Sequence, residues 1–291
     1  MKTTHIPHYL FAVFSLSLGS AQAITIFTNG TTDFNTATNW DNGLPDNDAA
    51  ADGADRDAVI AAGHTAVTSA SYNDSGNQHY NLDVLGTLTV SAGHTVHLGK
   101  GVGYNTDTDL TVDGGTLNID GVMTVIGGGA HTYVTNNGTI NVRSGGLLDS
   151  RKNLYLTLGT LNLAADAAST LGVIDHLDVG SGSMIHFDIT STNLTTMILQ
   201  NDLDLSAGGA TLDLDITGAT AGDSYTLFAT GGVIDGTFTT FNYTANDSLV
   251  ATLDYSSPTD LVVHITNVPE PSSAALLGLG GLALILRRRK G

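Results

Sequence analysis

The sequence predicts an all-β protein whose central part winds as a right-handed parallel β-helix. Three observations predict it. A short unit recurs: Gly86-Thr87-Leu88-Thr89-Val90, Gly115-Thr116-Leu117-Asn118-Ile119, Gly138-Thr139-Ile140-Asn141-Val142 and Gly159-Thr160-Leu161-Asn162-Leu163. Looser copies follow at Gly182-Ser183-Met184-Ile185 and Gly209-Ala210-Thr211-Leu212, so that successive units start 29, 23, 21, 23 and 27 residues apart. A recurrence of that length is the mark of a stacked architecture, one coil per repeat. Within each unit apolar and polar residues alternate, the period of a half-buried strand. The composition agrees: 35 Gly among 291 residues, and Asp in place of Glu throughout the body of the chain, which favours turns over helices. An antiparallel β-sandwich is the rival architecture, because its closer turn spacing also fits the chain.

Taken in order, residues 1–23 form the first element. A mildly basic start with Lys2 precedes an apolar run, Tyr9 to Leu18, and the small residues Ala21 and Ala23. That order describes a secretory signal peptide cleaved after Ala23 by signal peptidase, following export through the Sec machinery. Residues 24–81 form an N-terminal cap and the first rungs. They include the single tryptophan, in Thr38-Asn39-Trp40-Asp41-Asn42-Gly43-Leu44-Pro45. Trp40 is expected to cover the open end of the core; stacking against a sugar is its alternative use.

Residues 82–215 hold the repeats, about six rungs at the ordinary inter-strand spacing of ~4.8 Å. Their Leu, Ile and Val stack inward as one column, and their Gly and Asn/Asp take corners that often need positive φ. Residues 216–267 supply the last rungs and a closing hairpin, built from Leu249 to Asp254 and Leu261 to Thr266. The turn at Trp40 and the strands Gly222 to Phe228 and Gly231 to Phe238 resemble the two ends of autotransporter-like β-helix passengers.

Residues 268–291 form the last element. Val268-Pro269-Glu270-Pro271 precedes an uncharged apolar run, 272–286, and the basic cluster Arg287-Arg288-Arg289-Lys290. As a helix the run reaches ~22 Å, short of a ~30 Å hydrocarbon core, and snorkelling arginines with local thinning cover the difference. It is therefore expected to be a transmembrane helix with the basic cluster in the cytoplasm and the passenger outside. This three-part end resembles the PEP-CTERM protein-sorting signal of Gram-negative bacteria. The resemblance implies recognition by an exosortase, with Pro269, Glu270 and Pro271 as the recognised triplet. It also implies export to the cell surface or extracellular matrix in company with exopolysaccharide, the membrane being a partner only through this helix before processing.

Chemistry is sparse by comparison. Residues 24–267 carry 27 Asp against five basic residues, a net charge of −22; such a surface repels phosphate backbones, so no nucleic-acid partner is expected. Without cysteine there is no thiolate metal site and no cysteine nucleophile. His94 and His97 fall on opposite faces of a strand, and His176 and His186 lack a third ligand in sequence, so the histidines are expected on the surface. Asp202/Asp204 and Asp213/Asp215 each share a strand face. Such pairs are the raw material of a polysaccharide lyase or glycoside hydrolase, although neither Arg143 nor Arg151 lies near them in sequence. No cofactor is expected. Asp46, Asp48, Asp52, Asp55 and Asp57 are weak Ca²⁺ candidates: they are hard oxygen ligands on one stretch, without the terminal bidentate Glu of an EF-hand. The expectation is a non-enzymatic surface or matrix protein. A β-helix lyase or hydrolase, and a permanently membrane-anchored surface spacer, are the alternatives.

Overall fold

The computed structural model describes residues 23–28, 32–45, 56–73, 81–99, 108–127, 129–165, 174–190, 194, 196–246 and 248–268. The signal-peptide segment with Ala21, the sorting segment with Pro269, Glu270, Pro271 and Arg287 to Lys290, and the calcium candidates Asp46, Asp48, Asp52 and Asp55 lie outside them. Among the described residues no helix is long and apolar enough to cross a membrane; the helix expected over 272–286 lies outside them too.

The chain opens with β1 (Ala23–Phe27) and a single 3-10 turn (Ala37–Asn39). A first turn of the helix follows as β2 (Arg56–Ile60), β3 (Thr65–Val67) and β4 (Tyr72–Asn73). The next turns are β5 (Leu82–Val84), β6 (Thr87–Val90) and β7 (Thr95–Leu98), then β8 (Leu110–Asp113), β9 (Thr116–Ile119) and β10 (Val122–Val125). They continue with β11 (Thr132–Thr135), β12 (Thr139–Val142) and β13 (Leu147–Ser150), then β14 (Leu154–Thr157) and β15 (Thr160–Leu163). Beyond these come β16 (Leu177–Val179), β17 (Met184–Thr190) and β18 (Met197–Leu199), then β19 (Leu203–Asp204), β20 (Thr211–Gly218) and β21 (Ser224–Thr230). The series closes with β22 (Ile234–Asp235), β23 (Thr240–Thr244), β24 (Leu249–Asp254) and β25 (Asp260–Asn267).

Strands of successive turns stack into a parallel β-helix. The first face is a nine-stranded sheet, β1-β2-β5-β8-β11-β14-β16-β19-β22, and the second an eight-stranded sheet, β3-β6-β9-β12-β15-β17-β20-β23. The third face changes identity along the column. Four parallel strands, β4-β7-β10-β13, cover its first half, and the sheet β18-β21-β25-β24 covers its second. Among the described strand pairs only β21·β25 and β24·β25 are antiparallel, so the parallel solenoid holds and the sandwich does not. Six turns start within 82–215, at β5, β8, β11, β14, β16 and β19.

The core follows from strand alternation in register. On the second face Leu88, Leu117, Ile140, Leu161, Ile185 and Leu212 are successive partners, all fully buried. On the first face Leu82, Leu110, Thr132, Leu154, Leu177 and Leu203 form the matching column. Thr132 interrupts it as a buried hydroxyl, and Ser150 Oγ satisfies it at 2.9 Å. At the open end Trp40 is buried, with T-shaped contacts to Phe27 and Phe34 at 5.2 Å each. Its Nε1 donates to Phe34 O at 2.9 Å, so Trp40 caps the core and presents no face to a sugar.

The repeated glycines do something other than expected. Gly86, Gly115, Gly138 and Gly159 sit where the first face turns into the second, and none of them has positive φ. Each is instead pressed against the previous turn's backbone. A Cβ on Gly115 would overlap Val84 O, and one on Gly138 would overlap Val112 O. The same corner carries a hydrogen-bonded ladder: Thr116 N donates to Gly86 O, Thr139 N to Gly115 O and Thr160 N to Gly138 O, at 2.8–2.9 Å. Positive φ falls on neighbouring turn residues such as Gly63, Gly93, Gly114 and Gly145, and on Asn136, Asn137 and Leu158. In the looser copies Ser183 and Ala210 take the corner, one residue after Gly182 and Gly209.

Two substitutions test this account. Leu117→Ala removes a fully buried side chain and should cost roughly 2–5 kcal/mol in urea unfolding. Gly138→Ala should cost about 1–3 kcal/mol by overpacking, whereas Ala92→Ser on an exposed turn should change stability by no more than about 0.5 kcal/mol. If Gly138→Ala is as mild as the surface change, close approach is not the reason for glycine at the corner.

Candidate functional site

Outward side chains of the second face also stack in register, and they form a ladder. Asn141 Nδ2 donates to Asn118 Oδ1 at 2.8 Å, and Asn162 Nδ2 to Asn141 Oδ1 at 2.7 Å. Asn118 Nδ2 continues to Thr89 Oγ1 at 3.3 Å. Each amide satisfies its neighbour, so the ladder fixes register as the apolar column does on the inside. The next two members of the row are His186 and Asp213, and here the chemistry changes.

His186 lies between two carboxylates. Its Nδ1 is 2.8 Å from Asp213 Oδ2 on the neighbouring turn, and its Nε2 is 2.9 Å from Asp188 Oδ1 two residues on. Burial pulls the imidazole pKa down, but the hydrogen bonds and charges of Asp188 and Asp213 outweigh it and hold the group above its usual range. Beside the cluster Asp188, Ile189, Thr190, Asp215 and Thr217 line a groove of about 400 Å³. The parallel register slips between Asp188 and Thr190, an irregularity of the kind that re-aims side chains next to sites. Asp188 and Asp215 are direct partners across β17 and β20. Asp215 Oδ1 accepts from Thr217 N at 2.9 Å, and the Asp188 side chain is 48% exposed and engaged with His186. A general acid kept protonated by burial, as glycosidases need, is not provided by that arrangement.

The other acidic pair is tied down separately. Val233 N donates to Asp202 Oδ1 at 2.7 Å, and Ser206 N to Asp204 Oδ1 at 2.8 Å. Arg143 reaches Asn118 Oδ1 at 2.7 Å and Asp120 at 3.4 Å, and Arg151 pairs with Asp149; neither basic residue stands at an Asp pair. Asp57 Oδ1 accepts from Asn81 N at 2.9 Å. Among the described residues no group of three or more potential ligands is placed to hold a metal ion.

Three features were missed by sequence reasoning. The His186 cluster is one, although the repeat copies encode it: aligning Ser183 with Ala210 as corner residues places His186 opposite Asp213 and Asp188 opposite Asp215. A second is a row Ser224–His264–Asp254 across β21, β25 and β24. Ser224 Oγ is 2.7 Å from His264 Nδ1, and His264 Nε2 is 3.4 Å from Asp254 Oδ2. The order is that of a nucleophilic triad, but the Asp254 and His264 side chains are 40% and 43% exposed. A triad carboxylate is buried and holds the imidazole tightly; this one is solvated on an open sheet. The third is a stacked pair, Tyr133 and Tyr155, with ring centroids 5.1 Å apart and planes at 10°, their spacing set by the turn-to-turn register.

Protonation of His186 has a testable sign. Its raised folded-state pKa makes its stabilising contribution complete below the unfolded imidazole value of ~6.5 and lost as pH rises through the folded value. His97, buried and shifted down, acts in the opposite direction but is common to wild type and variant. His186→Asn, which extends the asparagine ladder, should therefore lose stability against wild type at about pH 5.5 and recover most of the difference by about pH 8.5. Equal differences in urea midpoint at both values would show that the two carboxylates do not stabilise the imidazolium.

Comparison with known proteins locates one element that begins at the end of β25 and runs on beyond the described residues. The family model for the PEP-CTERM protein-sorting motif matches residues 267–290. No curated protein matches the chain. The motif implies recognition by an exosortase and an exported, membrane-passing chain. The chain thus joins a parallel β-helix passenger to a C-terminal segment that matches the PEP-CTERM protein-sorting motif.

Proposed function

We propose that the protein is a non-enzymatic component of the cell surface or extracellular matrix, released from the membrane when an exosortase processes its tail. Its passenger serves as a rigid, acidic rod with a structural or adhesive role among exopolysaccharide. The observation that carries the reading is the combination of a sorting motif at 267–290 with a passenger built as one parallel stack. A stack in which many outward carboxylates are engaged by its own side chains and backbone is suited to rigidity and to weak contacts repeated along its length. A glycoside-hydrolase reading comes second, favoured by one observation: Asp188 and Asp215 stand side by side on neighbouring strands and both line a groove.

Intact mass and fractionation of the mature protein from its own bacterium test the first reading. The expected species starts at about Ile24, ends upstream of Ser272 and is found outside the membrane; Glu270→Ala should hold the uncut chain in the membrane fraction. A wild-type chain that keeps its tail to Gly291 in the membrane would instead be an anchored surface spacer. Loss of matrix cohesion on deletion is the expected phenotype, and a matrix unchanged by deletion would remove the adhesive role.

The non-enzymatic part has its own test. No reducing ends should be released from the producer's polysaccharide, and a fluorophosphonate probe should leave Ser224 unlabelled. Release abolished by Asp188→Asn, or a mass adduct on Ser224, would establish an enzyme.

A further inference from the structure

The passenger carries a net charge of −22, yet one part of its surface has no charge. On the second face, from β3 to β15, the outward positions form two rows. Thr65, Thr87, Thr116, Thr139 and Thr160 are successive partners in one. Val67, Thr89, Asn118, Asn141 and Asn162 are successive partners in the other. No position in either row is ionisable, and no register shift interrupts them. The strip ends sharply: the following strand puts Met184 into the threonine row and His186 into the asparagine row, and Asp188, Asp213 and Asp215 follow. At its side Arg143 donates to Asn118 Oδ1 at 2.7 Å and pairs with Asp120 at 3.4 Å, so the one cation that reaches the asparagine row is itself held.

The two rows differ in what they leave available. The asparagines bond to one another along the column, so their amides hold the register. The threonines are exposed or half-buried and occupy outward positions, and none of their hydroxyls takes part in the hydrogen-bonded ladder of the neighbouring row. Each hydroxyl can both donate and accept. In-register parallel stacking repeats them every ~4.8 Å, so five threonines span ~19 Å. A surface of this kind offers repeated weak hydrogen bonds and methyl contacts, and it requires no charge to be desolvated. The rest of the passenger repels polyanions.

Resting on the adhesive reading above, we infer that this strip is the polymer-binding face, and that it takes a neutral, hydroxyl-rich polysaccharide laid along the column. The charge pattern makes the choice. A uronate polymer would meet a strongly acidic rod and find no cation in the threonine row, the one guanidinium beside the strip, Arg143, being held by Asn118 and Asp120. A neutral chain meets matching donors and acceptors at every turn, and its affinity grows with the number of turns engaged.

The test uses the mature protein released by its own bacterium. Retention is measured by affinity electrophoresis in gels containing a soluble neutral β-glucan, or alginate as the acidic polymer. Wild type should be retarded by the glucan and not by alginate. Thr116→Val/Thr139→Val/Thr160→Val keeps shape and strand propensity but removes three hydroxyls; it should lose about tenfold in retention if contacts are multivalent. Thr116→Asp/Thr139→Asp/Thr160→Asp should abolish retention, with circular dichroism checking that it folds; if it does not, the valine variant decides. Glucan retention unchanged in the valine variant would overturn the strip while leaving the adhesive reading intact. Retention by alginate alone, or by neither polymer, would overturn the neutral-polymer assignment. A dimer in sedimentation velocity that the aspartate variant dissociates, without any effect of glucan, would reassign the strip to self-association. The adhesive reading itself falls only with an unchanged matrix in the deletion strain.

Discussion

The regular turns of the passenger, from β5 to β15, depend on a close approach at one corner. Where the first face turns into the second, the carbonyl of one turn occupies the space that a Cβ of the next would need. Gly86, Gly115, Gly138 and Gly159 leave that space empty, and the amide that follows each later glycine donates to the preceding corner carbonyl. Chain direction, vertical spacing and lateral register are fixed there together. A parallel pair is somewhat less stable per residue than an antiparallel one and needs a long connection. A corner that leaves little choice of register compensates by lowering the number of alternatives to be excluded. Once the corner is in register, inward Leu and Ile stack on their counterparts and outward Thr and Asn on theirs.

The two sides of a strand use that register differently. Inside, stacking buries identical apolar shapes turn after turn, and each turn closes the core of its neighbour, which is why the ends need separate solutions. Trp40, Phe27 and Phe34 seal one end with edge-to-face contacts. Near the other end the third face gives way to a mixed sheet that ends in the hairpin β24–β25. Outside, stacking brings like side chains within reach of each other. For amides this is favourable, since each has a donor and an acceptor. For carboxylates it is not, and the chain manages them by placing a histidine between Asp188 and Asp213 and by bonding Asp202, Asp204 and Asp215 to backbone amides. The acidic composition is thus compatible with a stacked fold because many of its carboxylates are held apart or partnered.

The electrostatics of the surface follow from the same arrangement. A repeat that puts Thr and Asn at fixed positions in consecutive turns produces an uncharged strip, and departure from the repeat at Met184 and His186 ends it. The groove by Asp188 and Asp215 belongs to the irregular part, where the register slips. Regular repeats and irregular turns therefore suit different tasks: the first an extended contact, the second a localised cluster.

How much was legible without the structure depends on how local the determining interaction is. The period of the Gly-Thr-Leu units, the alternation within them and the final hairpin are local properties, and they determined the class of fold and the positions of most second-face strands. The sorting segment was legible for the same reason, because a triplet, an apolar run and a basic cluster are read in order along the chain. Trp40 as a cap was also foreseen, from its position before the first turns. The pairing of His186 with Asp213 was not, because it joins residues 27 apart and depends on Ser183 and Ala210 replacing glycine at the corner. Neither was the row Ser224–His264–Asp254, which exists only because β25 runs antiparallel between β21 and β24. Sequence by itself determined what each strand shows to either side; the tertiary structure decided which residues of distant turns stand next to one another, because stacking register is set by backbone packing at the corners and is not written in any single strand.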